Sequence, residues 1–98
     1  MERQGDDTKS STAVLLRRYH KDSDTSARHR LIELYLPLVE SFARRYSRSS
    51  NDYEDLYQVG CIGLINAIDR FDLERGEELA AFAVPNITGE IRRYLRDR

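Results

Sequence analysis

Hydrophobic residues recur along most of the chain every three or four positions, which is the spacing that places them on one face of an α-helix. The pattern predicts helices over about residues 26–46, 53–70 and 79–98, with a shorter helix after a cap at Thr12. Neither an alternating strand pattern nor an internal repeat is present. The sequence therefore predicts an all-α fold, a compact bundle of about four helices.

Polar stretches, prolines and glycines set the expected boundaries. Residues 1–11 are polar and are predicted to be disordered or frayed, which leaves residues 12–98 as one helical domain. Pro37 is expected to bend or interrupt the second helix, and Pro85 is expected to kink the last one. Gly76 lies in the turn before the last helix, where a left-handed backbone is expected.

The third helix is expected to begin after a cap at residue 50, 51 or 52. Its predicted buried stripe consists of Leu56, Val59, Ile62, Gly63, Ile65 and Ile68. Glycines inside a helix cost about 1 kcal/mol each relative to alanine. Small residues on this stripe would allow a neighbouring helix to approach closely.

The net charge of −1 hides a segregated pattern. Residues 17–48 carry a charge of +4, residues 49–90 carry −7 and residues 91–98 carry +3. Separate acidic and basic segments can serve partners of opposite charge, although solvated helices also vary in charge by chance.

Composition argues against several functions. One cysteine, Cys61, and two histidines are too few and too scattered for a disulfide or a zinc site. We see no nucleophile–base pair, no glycine-rich phosphate loop and no apolar run long enough for a membrane span. The expectation is a cytoplasmic binding module, which is not an enzyme and needs no cofactor or metal.

A motif from Asp55 to Asp72, D-L-x-Q-x-G-x-I-G-L-x-x-A-I-x-R-F-D, resembles the core-binding helix of bacterial RNA polymerase sigma factors of the sigma-70 family. The resemblance implies docking on a coiled coil of the largest polymerase subunit. The implied contact residues are Asp55, Gln58, Cys61, Ile62 and Ile65. Periodicity alone would also allow the aliphatic residues to be core and Asp55 to be only a cap.

A second motif, F-A-x-P-x-I-x-G-E-I-R-R-Y-L-R-D from Phe82 to Asp97, resembles the promoter-melting helix in the general-stress and sporulation branch of that family. Housekeeping members usually carry two tryptophans where this chain has Pro85 and Asn86. The departure favours the alternative branch.

The resemblance implies a region two domain that recognises and melts the promoter −10 element by capturing the non-template single strand. The implied DNA-binding residues are Phe71, Phe82, Pro85, Asn86, Arg92, Arg93 and Arg96. The aromatic residues would stack on flipped bases, and the arginines, with Arg98, would contact phosphates. The alternatives are ordinary core aromatics and a solvated C-terminal turn.

The resemblance covers roughly residues 12–98, and the expectation is a single region two domain without the later sigma-factor domains. A second interpretation makes the same helices an interaction module, the docking surface of an anti-sigma factor. The two roles are compatible, because an inhibitor can act by covering the polymerase-binding helix. The expected partners are therefore core RNA polymerase, promoter DNA and an anti-sigma factor.

Overall fold

The computed structural model describes residues 4–98, and within that range the backbone forms helices and no strand. The prediction of an all-α bundle of about four helices is confirmed. The elements are α1 (Gln4–Asp22), α2 (Thr25–Tyr46), α3 (Ser50–Arg70), a short 3₁₀ turn (Leu73–Arg75) and α4 (Leu79–Asp97).

The first helix extends well before the predicted cap at Thr12. That residue is only 5% exposed, and its hydroxyl lies 3.3 Å from the hydroxyl of Tyr35 on α2. Thr12 is therefore an interior residue of α1 that contacts its neighbour, and not an N-cap. Residues 1–3 lie outside the described part, and the division into a tail over 1–11 and a domain over 12–98 stays a prediction.

Helix α2 begins at a side-chain cap and continues through its proline. The Asp24 carboxylate accepts hydrogen bonds from the backbone amides of Ser26, at 3.0 Å, and Ala27, at 3.2 Å. The helix is not interrupted at Pro37, which is exposed. Because proline removes the bond to the Glu33 carbonyl and Glu33 is also exposed, water can satisfy that group.

The start of α3 and the turn before α4 are built from short polar contacts. The N-cap is Ser49, which makes no side-chain cap bond, so a cap at residue 50, 51 or 52 is wrong. Asp52 instead accepts a hydrogen bond from the Arg48 amide at 3.1 Å. Gly76 has φ of 76°, which confirms the predicted left-handed position.

The core lies where α3 packs against α2 and α4. Leu56, Leu64 and Ile68 of α3 are fully buried there, whereas Ile62 is 51% exposed. The predicted stripe was therefore wrong at Ile62, and Leu64 replaces it. The other buried members of the core are Leu16, Leu31, Val39, Ala43, Ala67, Phe71, Leu79, Ala83, Ile87 and Ile91.

The closest approach between helices occurs at Gly63. A Cβ atom built on this glycine would clash with the Asn86 carbonyl oxygen and would lie 2.8 Å from the Cα of Ile87. Both neighbours are backbone atoms of α4, so they cannot rotate away. Glycine at this position therefore allows α3 and α4 to touch backbone to backbone, as the small residues of the sequence suggested.

Candidate functional site

The five predicted docking residues share one face of α3. Asp55, Gln58 and Ile62 are exposed along it, and Cys61 and Ile65 beside them are half-buried. We call these five residues the docking strip. The acid and the amide lie at its N-terminal end, and the aliphatic side chains follow.

Sequence reasoning missed two further acids on the same face. Glu54 and Asp69 are both exposed, and the 100° rotation per residue places them beside the docking strip. Helical geometry alone could have found them, because both positions are one turn from strip residues. They make this face of α3 acidic at both ends.

Asp69 is held by a cluster that joins three helices. Arg28 of α2 donates to both carboxylate oxygens, at 2.9 and 3.2 Å, and Tyr19 of α1 donates at 2.7 Å. The hydrogen bond from Arg28 is the main reason that the pKa of Asp69 lies below its ordinary value. The cluster thus ties α1 and α2 to the C-terminal end of α3.

A hydrogen bond from α4 also holds the acid of the docking strip. The Tyr94 hydroxyl donates to Oδ2 of Asp55 at 2.9 Å, and this bond is the main cause that raises the pKa of Tyr94. Tyr94 is half-buried and packs against the hydrophobic core. Its hydroxyl reaches the acidic end of α3.

Arg98 lies next to this contact and does not extend freely into solvent. Its guanidinium bonds Asp52 at 2.9 Å and lies 6.0 Å from the ring centroid of Tyr94. The Arg98 hydrogen bond is the main cause that lowers the pKa of Asp52. The expectation that Arg98 contacts phosphate is therefore not met in this conformation, because the Arg98 guanidinium is already paired with Asp52 of α3.

The two predicted stacking residues do not frame an open groove. Phe71 is only 8% exposed and belongs to the core, whereas Phe82 is half-buried. Their rings meet edge to face, with centroids 5.9 Å apart. Phe71 follows the last residue of α3, and this position turns its side chain inward. Phe71 therefore offers little exposed ring face in this conformation, and Phe82 is the more exposed of the two rings.

Pro85 and Asn86 occupy the middle of α4. Pro85 is exposed, and α4 runs through it without interruption. The side-chain amide of Asn86 donates to the Phe82 carbonyl at 2.8 Å. This bond uses one amide hydrogen of Asn86 and fixes the side chain close to Phe82.

The three predicted arginines of α4 are exposed and make only weak surface contacts. Arg92 donates to the Tyr46 hydroxyl at 3.2 Å, and its guanidinium lies 5.9 Å from that ring centroid. Arg93 pairs with Glu90 at 3.1 Å and Arg96 with its neighbour Asp97 at 3.2 Å. Exposed pairs of this kind contribute about 1 kcal/mol or less, so a phosphate can replace them.

A cavity of about 430 Å³ opens between α1 and the turn before α4. Apolar side chains such as Leu16, Leu73 and Leu79 line it, together with the basic Arg17 and Lys21 of α1. The sequence did not predict this opening, because it depends on how α1 lies across the bundle. In the described part of the chain, no three His, Cys, Asp or Glu residues are grouped so as to hold a metal ion.

None of the described helices is long and apolar enough to cross a membrane.

The features above define an all-helical protein with an acidic and aliphatic docking strip on α3 and an arginine-bearing surface on α4. Residues 31–98 match the family model described as Sigma-70 region 2. The chain therefore belongs to the sigma-70 region 2 family.

Relatives of known name place the chain within that family. It is 43% identical over 91 residues to RNA polymerase sigma-B factor of Bacillus subtilis, covering 93% of this chain and 35% of the relative. It is 47% identical over 83 residues to the sigma-G factor of the same species, covering 85% and 32%. The sigma-F factor of Kitasatospora aureofaciens is 46% identical over 98 residues, covering 95% and 33%.

These relatives confirm the predicted general-stress and sporulation branch. The chain spans about a third of the length of each of them.

Proposed function

We propose that this chain is the part of a sigma factor that binds core RNA polymerase and recognises and melts the promoter −10 element. The observation that carries the proposal is the docking strip on α3. Ile62 is half exposed to solvent on that strip although it is a large aliphatic residue, and two acids flank it. An exposed aliphatic residue beside carboxylates fits a partner that offers an apolar groove edged with basic side chains.

The coiled coil of the largest polymerase subunit is the proposed partner of the strip. Asp55 and Gln58 would meet basic side chains at one end, while Ile62, Ile65 and Cys61 would pack at the other. Burial raises the pKa of Cys61, which supports a packing role for its neutral thiol.

The proposed task of α4 is to hold the melted strand. A base of the non-template strand would leave the duplex and stack on Phe82, with Phe71 supporting that ring from behind. Stacking on an aromatic ring is worth about 1–3 kcal/mol per base. That is comparable to the few kcal/mol that extrusion of a base costs. The chemistry is strand capture, so no bond of the substrate is broken.

Phosphate contacts would come from the exposed arginines of α4. Arg92, Arg93 and Arg96 each exchange a weak surface partner for a phosphate oxygen in this scheme. Pro85 and Asn86, on the same helix, would border the captured strand. A role in transcription would place the protein in the cytoplasm.

Replacing both polar residues of the docking strip tests the proposal. Asp55→Ala with Gln58→Ala should weaken binding of the chain to purified core polymerase, measured by fluorescence anisotropy. The matched control is Asp22→Ala, which removes an exposed acid from α1 and should leave the affinity unchanged. Equal affinity of the double variant and the unaltered chain would reject the assignment of the strip.

An anti-sigma factor is a second proposed partner. The half-exposed Ile62 supports it, because an inhibitor that covers this side chain would also exclude polymerase. The test is competition, in which a cognate inhibitor should displace core polymerase from the chain. Simultaneous binding of both proteins would show that their surfaces differ.

A further inference from the structure

The acid of the docking strip is oriented by a residue outside the strip. Tyr94 of α4 donates its hydroxyl to Oδ2 of Asp55 at 2.9 Å. Tyr94 is itself confined, because it is half-buried and the guanidinium of Arg98 lies 6.0 Å from its ring centroid. Arg98 in turn is anchored by its ion pair with Asp52, one turn before Asp55 on α3.

The second carboxylate oxygen of Asp55 has a different environment. Within residues 11–98, the only hydrogen bond to the Asp55 side chain is the one from Tyr94, which uses Oδ2. An ionised carboxylate can accept several hydrogen bonds, so Oδ1 remains able to receive one from a partner. The side chain is therefore held through one of its oxygens, while the other has no hydrogen-bond partner within residues 11–98.

We propose that Tyr94 is a positioning residue for polymerase binding, which holds the Asp55 carboxylate in the rotamer that the partner recognises. The inference rests on the proposed function of the docking strip. It assigns to α4, the helix proposed to hold DNA, a direct influence on the affinity for the polymerase.

The expected size of the effect follows from the cost of ordering a side chain. A free aspartate samples several rotamers, and the partner must select one of them when it binds. Without the Tyr94 hydroxyl, the Asp55 side chain must lose its rotamer freedom when the partner binds, so that entropy cost weakens the affinity. Ordering one side chain at an interface corresponds to a change in affinity of about threefold to tenfold.

Tyr94→Phe removes only the hydroxyl and keeps the ring between α3 and α4. We expect this variant to bind purified core polymerase about threefold to tenfold more weakly than the unaltered chain. The matched control is Tyr35→Phe, which loses a hydroxyl that also bridges two helices, toward Thr12, away from the strip. The control should bind as tightly as the unaltered chain.

A double-mutant cycle separates positioning from a general effect on the fold. In an Asp55→Ala background, Tyr94→Phe should have no further effect on polymerase affinity, because the group that it orients is gone. An equal loss in both backgrounds would overturn the proposal. Unchanged or tighter binding by Tyr94→Phe alone would do the same.

Titration of the Tyr94 ring by NMR tests the contact without any partner. The hydrogen bond to Asp55 raises the pKa of Tyr94, so Asp55→Ala should return that pKa toward its ordinary value. The same pKa in both proteins would mean that the contact is absent in solution, which would reject the inference. If the unaltered chain fails to bind polymerase at all, the proposed function and this inference both fall. Normal binding that depends on Asp55 but not on Tyr94 refutes the inference alone.

Discussion

Replacement of Gly63 by alanine is expected to be the most damaging small change in the bundle. The added Cβ would clash with the Asn86 carbonyl oxygen and lie 2.8 Å from both the Asn86 carbonyl carbon and the Cα of Ile87. All three atoms belong to the backbone of α4. The helices must therefore separate, because no side-chain rotation can relieve the contact.

The magnitude follows from two opposing terms. Overpacking a well-packed site costs about 1–3 kcal/mol, and a clash with backbone belongs at the upper end of that range. Alanine regains about 1 kcal/mol because it is a better helix former than glycine. We expect Gly63→Ala to lower the free energy of unfolding by about 2 kcal/mol. For a domain of this length the melting temperature should then fall by roughly 10 °C.

Gly60 and Gly89, two further helical glycines, provide a graded control series, measured by thermal unfolding followed with circular dichroism. At Gly60 the Cβ would lie 2.9 Å from a methyl group of Val39, which can shift, so the loss should be smaller than at Gly63. At Gly89 nothing lies within 4 Å of the Cβ, so alanine should stabilise the protein by up to about 1 kcal/mol. Equal melting temperatures for the variants at Gly63 and Gly89 would refute the reasoning.

Three further predictions concern the surface. Phe82→Ala should weaken binding to a single-stranded −10 oligonucleotide by about 1–3 kcal/mol, as measured by fluorescence anisotropy. Binding to duplex DNA should weaken by less, and equal losses on both substrates would contradict stacking. Arg92→Gln with Arg93→Gln should make the negative slope of log K against log salt for single-stranded DNA shallower by about 1.4. The control Arg30→Gln should leave the slope unchanged, and an unchanged slope in the double variant would show that neither arginine contacts phosphate. The lowered pKa of Asp69 means that its contribution to stability is present above its unfolded value of about 3.9 and is lost as pH falls through the folded value. Asp69→Asn should therefore cost about 1 kcal/mol or less in urea unfolding at pH 7 and less than that at pH 2, and an equal cost at both pH values would disprove the linkage.

Much of the fold could be predicted because local rules decide it. The left-handed turn at Gly76 and the ends of α2 and α3 near Tyr46 and Arg70 follow from turn chemistry and from breaks in hydrophobic spacing. The motif named the residues of the docking strip as contact residues, and helical geometry then places them on one face of α3. Such features depend on neighbours within one or two turns of the same helix.

The errors lie where a contact joins different helices. Hydrophobic spacing assigned Ile62 to the core and did not include Leu64. When the apolar stripe of a helix is wide, its spacing does not determine which edge the neighbouring helices bury. Thr12 was predicted to be a cap because its true partner, Tyr35, lies 23 residues further along the chain and leaves no local signal. The hydrogen bond between Tyr94 and Asp55 spans 39 residues and has no local signal in the sequence.

The candidate DNA surface shows the same limit. The motif named Phe71 and Phe82 as stacking residues, but only packing between α3 and α4 decides that Phe71 is buried and that the two rings touch. Arg98 was assigned to solvent or phosphate, whereas its partner Asp52 lies 46 residues earlier in the chain.

The contact at Gly63 has a geometric consequence for any assembly that includes this protein. Helices separated by long side chains can slide or tilt as those side chains change rotamer, but two backbones in direct contact have little such freedom. Once a partner binds α3, the close backbone contact at Gly63 therefore restricts how α4 can be oriented relative to that partner. The domain therefore behaves as a rigid unit in which the position of α3 determines the direction of α4.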